Sequence, residues 1–109
     1  SSVAVNRKDT LAAMHEVNRR YGYVLDPHTA VGYHAARNHL DQQVTSTDVV
    51  VVATAHPAKF PDAVQQATGG EPTHPTLEAL KGLPMRRHAL PCDIDAVKAY
   101  LVEQLHSQP

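Results

Sequence analysis

The sequence is poor in several features that would settle its chemistry at once. Cys92 is the single cysteine among 109 residues, so no disulfide can form within the chain. That is the pattern expected of a protein kept in the reducing cytoplasm. No apolar run approaches the roughly 18 residues that a membrane helix needs, which leaves no reading as a membrane partner. Residues 1–9 lack the apolar stretch of a signal peptide. Lysine and arginine are scattered and the net charge is -1, so there is no clustered basic face for nucleic acid. Internal repeats and low-complexity tracts are also missing.

Eight histidines raise the question of a metal site, but no two of them are three or four positions apart. That is the spacing needed to chelate zinc from one helix face, and His15-Glu16 is followed by Arg19 rather than by a second histidine. No metal site is expected. The pair Gly69-Gly70 follows a helical stretch, where C-capping accounts for it, so no glycine-rich phosphate loop is present. Cys92 lies between Pro91 and Asp93 and reads as a semi-buried loop cysteine.

What is present suits an ordered globular piece of one domain at most, with 42% hydrophobic and 19% charged residues. Residues 9–21 predict a helix capped by Asp9 or Thr10, with Leu11, Met14, Val17 and Tyr21 at helical spacing and Gly22 as C-cap. Asp26-Pro27 predicts the cap and first position of a second helix through about Leu40, with Gly32 permitting close approach. A polar linker over 42–47 follows. A third helix is expected over 61–68, a short one over 76–81, and a last one from an Asp93 cap to about His106. Ile94, Val97, Leu101 and Leu105 form the apolar stripe of that last helix.

The stretch DVVVVAT, about 48–54, predicts the one clear strand. Its valines do not alternate with polar residues, so both faces should be buried, as in a central parallel strand of an α/β fold. A possible second strand lies at about 85–90, with an Arg-Arg-His centre that suits an exposed edge. One strand with at most one partner is a small sheet, which points to missing strands in a segment outside these residues.

Two stretches combine chemistry with position. Thr54, Ala55, His56 and Lys59 follow the carboxyl end of the predicted strand, where ligands bind in open α/β sheets. On position alone a site and a plain strand end are both open readings. Asp26 and His28 lie at the predicted start of the second helix, where helix capping explains them as well as a pocket does.

LDPHTAVGYHAA at 25–36 and VVVATAHPAKFPDAV at 50–64 closely resemble two stretches near the C-terminus of threonine synthases. KDTLAAMHEVNRRYGY at 8–23 and HPTLEALKGLP at 74–84 resemble the family too. The resemblance implies a helix-rich C-terminal segment, residues 1–109, of a fold-type-II pyridoxal-phosphate (PLP) enzyme. Such an enzyme converts O-phospho-L-homoserine and water to L-threonine and phosphate. It implies that Thr54 faces the PLP pyridine nitrogen, with Ala55 beside the ring. His56 and Lys59 would then orient the loop or attract phosphate, and Asp26 and His28 would shape the pocket wall or cap the helix. The family's PLP-holding lysine sits in a Phe-Lys-Asp setting that this sequence lacks: Lys8-Asp9 follows Arg7, and Lys59 precedes Phe60. The expected partner is therefore the remaining N-terminal part of the enzyme, and the isolated chain should be inactive without it. The alternative is a non-catalytic binding or interaction module on the same fold.

Overall fold

Asn6 opens the first helix, its side-chain oxygen accepting the Asp9 N–H at 2.9 Å. In the computed structural model, which describes residues 2–44 and 47–106, this helix is α1 (Arg7–Tyr21). The start precedes the expected Asp9 or Thr10 cap because asparagine caps as well as either. Asp9 then falls in the first turn, where its charge meets the positive end of the helix. Gly22 ends α1 at φ 67°, and its N–H donates to the Asn18 carbonyl at 2.9 Å. A side chain at that left-handed position would be strained.

The next helix, α2 (Pro27–Asp41), begins at the predicted place, with Asp26 as cap and Pro27 at the first position. Of the expected 42–47 linker, residues 45 and 46 lie outside the described residues. A single 3-10 turn, Pro57–Lys59, leads into α3 (Pro61–Thr68), which ends at Gly69 with φ 75°. The short α4 (Pro75–Leu80) starts at a His74 cap and ends with Lys81 as C-cap, just before the expected Gly82 stop; the Lys81 N–H donates to the Glu78 carbonyl at 3.1 Å. The last helix is α5 (Ile94–His106). The Asp93 carboxylate accepts the Ala96 N–H at 2.8 Å at its start, as expected.

The core is small and lies in the first three helices and in Leu25 of the connector before α2. Met14 and Ala30 are wholly buried, and Ala13, Val17, Leu25, Val64 and Ala67 close around them. α1 packs on both α2 and α3. Two polar links tie α1 to α3: Arg7 donates to the Gln66 side chain at 2.8 Å, and His15 Nδ1 lies 3.0 Å from the Ala67 carbonyl. Beyond Thr68 no described residue is buried.

Two expectations about strands fail among the described residues. Residues 48–54 form no strand; Val50 is 86% and Val52 72% exposed. Residues 85–90 form none either, with Met85 and Leu90 in solvent. A strand is stable only when a neighbour takes up its N–H and C=O groups, and neither segment is paired among the described residues. The apolar stripe of α5 is likewise uncovered, with Ile94, Val97, Leu101 and Leu105 all exposed. Cys92 is exposed, not semi-buried. The Cα radius of gyration is 19.5 Å, against about 13 Å for a compact domain near this length.

Candidate functional site

Asp26 takes part in four hydrogen-bonding contacts, more than any other side chain among the described residues. It is 2% exposed. Its Oδ1 accepts the His28 N–H at 2.9 Å and the Thr29 N–H at 3.3 Å, and Oδ2 accepts the Thr29 hydroxyl. The His28 ring adds Nδ1 at 3.2 Å from Oδ1. Burial alone would push the carboxyl upward. The hydrogen bonds from the Thr29 hydroxyl, the two backbone N–H groups and the His28 ring outweigh it, and hold Asp26 below its ordinary 3.8. A carboxylate kept ionised only accepts, so the proton between Asp26 and His28 resides on Nδ1.

The second segment, 54–60, is shaped by its prolines. His56 caps the 3-10 turn, its Nδ1 accepting the Ala58 N–H at 3.1 Å. Phe60 closes the turn, its N–H donating to the Pro57 carbonyl at 2.9 Å, while its own carbonyl accepts the Val64 N–H at 3.1 Å. The Thr54 hydroxyl is exposed and makes no hydrogen bond among the described residues. Lys59 is exposed as well.

Folding brings these two segments together. A recess is lined by Asp26 and Thr29 on one side and by Ala53, Ala55 and Pro57 on the other. The His28 and Phe60 rings meet with centroids 4.9 Å apart at 58°. A Cβ on Gly32 would lie 3.1 Å from Val51 Cγ1, so Val51 packs closely on α2 at this glycine. Thr54 and Lys59 are exposed and neither lines this recess. Lys59 borders one recess with His56, His74 and Thr76, and another with Arg7 and Asp62.

Sequence reasoning missed three residues here. Thr29 closes the Asp26 network, and the Asp-x-x-Thr spacing of a helix cap was its signal. His74 stands edge-on to His56 at 4.7 Å between ring centroids. Both begin His-Pro pairs and both cap the turn they precede, since His74 Nδ1 accepts the Thr76 N–H at 3.3 Å. Tyr33 has a buried hydroxyl without a partner among the described residues, and nothing in the sequence signals it. Among the described residues no group of three or more His, Cys, Asp or Glu could hold a metal ion, and no helix is long and apolar enough to cross a membrane.

Residues 29–101 match the family model described as threonine synthase, C-terminal. The chain is 40% identical over 106 residues to the threonine synthase of Methylobacillus glycogenes, a match over 96% of this chain and 21% of that protein. It is 38% identical over 98 residues to that of Corynebacterium glutamicum, covering 89% of this chain and 20% of the relative. Among solved structures, PLP-bound threonine synthase from Brucella melitensis matches with a TM-score of 0.70 and 38% identity, over 94% of this chain and 21% of the other. The yeast threonine synthase structure matches with a TM-score of 0.77 and 28% identity, over 99% and 24%. The chain thus spans about a fifth of the length of the curated relatives it matches.

Proposed function

The chain belongs to the threonine synthase family, and on that premise we propose that residues 1–109 form the C-terminal part of a longer PLP enzyme that converts O-phospho-L-homoserine and water to L-threonine and phosphate. The observation that carries this reading is the match of residues 29–101 to the threonine synthase C-terminal family, and the two segments that most closely resemble that family meet where the Asp26–Thr29 cap adjoins Ala53, Ala55 and Pro57. PLP supplies an electron sink for a carbanion on the substrate.

The donor set fits that cofactor. Thr54 offers an exposed hydroxyl with no partner among the described residues, between the small side chains of Ala53 and Ala55. A neutral hydroxyl donates a hydrogen bond to an unprotonated pyridine nitrogen without forcing a proton onto it. Ala55 lies beside the ring in this reading. His56 and Lys59 face the phosphate side, where an ammonium attracts the phosphoryl oxygens. Asp26 and His28 build the pocket wall. The lysine that holds PLP lies in the remaining N-terminal part. That part also supplies the strands that pair with residues 48–54 and 85–90 in an α/β sheet. The same reading keeps the protein in the cytoplasm, where the exposed Cys92 thiol stays reduced.

The test uses the longer polypeptide, loaded with PLP and assayed for threonine and phosphate. Thr54→Val removes one hydrogen bond at the ring, and threonine formation is expected to fall about tenfold with a shifted cofactor absorption band. Wild-type turnover and an unchanged band would remove Thr54 from the site. The 109-residue chain alone is expected to form no threonine, and turnover by it would overturn the placement of the lysine.

A further inference from the structure

We propose that His28 is a positioning residue that braces Phe60 and thereby sets the 54–60 segment. The buried Asp26 carboxylate, held ionised by its hydrogen bonds, accepts a hydrogen bond from His28 Nδ1 at 3.2 Å and tethers an imidazole that is otherwise 64% exposed. That ring is the contact of the α2 N-terminus with Phe60, at 4.9 Å and a 58° tilt, within the range of favourable tilted aromatic pairs. Phe60 is a junction in the chain. It closes the 3-10 turn, begins α3 without a side-chain cap, and has φ -132° and ψ 55°, outside the regular regions. Its backbone is held by the hydrogen bonds to Pro57 and Val64, and the His28 contact adds a tie through its ring. Fixing Phe60 fixes the end of a segment whose other end carries Thr54 and Ala55.

The ring contact rests on the Asp26–His28 side-chain hydrogen bond and on the aromatic pair. Helix capping does not require it: the His28 and Thr29 N–H groups reach Asp26 whatever side chain stands at position 28. The ring contact is thus separable from the cap. Its consequence for Thr54 rests on the function proposed above, whereas the brace itself does not.

Phe60 is the single phenylalanine of the 109-residue chain, so fluorophenylalanine labelling yields one 19F resonance. His28→Ala is expected to move that resonance toward the position of an unrestrained phenylalanine, with the helical circular dichroism retained. His28→Asn keeps a donor for Asp26 but no ring, and is expected to do the same, which guards against misfolding of the first variant. An unmoved resonance in either folded variant overturns the brace. In the longer PLP-loaded polypeptide, His28→Ala is expected to lower kcat at least fivefold, change KM for phosphohomoserine less than twofold, and alter the cofactor band. An unaltered band and kcat there overturn its role in setting Thr54. If the resonance moves but the wild-type longer polypeptide forms no threonine, the brace stands and the proposed reaction falls.

Discussion

Asp26 concentrates on one side chain what most helix starts spread over several groups. Replacing a capping aspartate by alanine costs about 0.5–2 kcal/mol, and the full burial of this one puts it at the upper end. Its pKa is lower in the folded chain than its ordinary 3.8. The stabilisation is therefore complete above that value and is lost as pH falls through the lower folded value. Urea titrations at pH 7 and pH 3 should show wild type losing more stability on acidification than Asp26→Asn, which keeps a cap but cannot titrate. Tyr33 is the opposite case. Burial first, and then Glu16, raise its hydroxyl pKa above 10.0, and no partner among the described residues satisfies it. Tyr33→Phe is expected to be neutral or stabilising by up to about 1 kcal/mol, read as a higher urea midpoint. Asp26 was legible in the sequence because Asp-Pro before an apolar stretch is a local signal. Tyr33 was not, because a missing partner is a property of packing.

At the scale of elements, the helices divide into those that bury a face and those that do not. α1 holds the wholly buried Met14 between α2 and α3, so Met14→Ala should cost about 2–5 kcal/mol and abolish cooperative melting of so small a core. Leu101 on α5 repeats at the same helical spacing but is 54% exposed. Leu101→Ala in the 109-residue chain is expected to change stability by no more than about 0.5 kcal/mol. Thermal denaturation followed by circular dichroism distinguishes the two. Periodicity and caps placed all five helices within a few residues, since both act over three or four positions. No strand forms among the described residues for a matching reason: the valine run at 48–54 records a preference for burial, but pairing needs a neighbour in space, which a local pattern does not supply.

Across the whole molecule, an elongated trace with a radius of gyration of 19.5 Å carries a core confined to residues 13–67. Scattering from the isolated chain should return a radius well above the compact value of about 13 Å. Limited proteolysis should cut first between 69 and 93, where no described residue is buried and α4 is the lone helix. Protection of that stretch in the longer polypeptide is the expected counterpart. The same trace follows about a fifth to a quarter of much longer threonine synthase chains. An open shape is what a piece shared with a larger core would have.

The sequence by itself determined the family, through DPHTAVG and ATAHPAKF in order, and the helices, through caps and spacing that act locally along the chain. It also placed Asp26, His28, Thr54 and Lys59 as candidates without relating them to one another. Only the tertiary structure decided that the Asp26 cap and residues 53–57 share a recess, and that His28 meets Phe60, because those contacts join segments more than twenty residues apart. It decided as well that residues 48–54 run unpaired over Gly32. Hydrophobicity states that a segment should be buried, whereas only a partner in space can bury it.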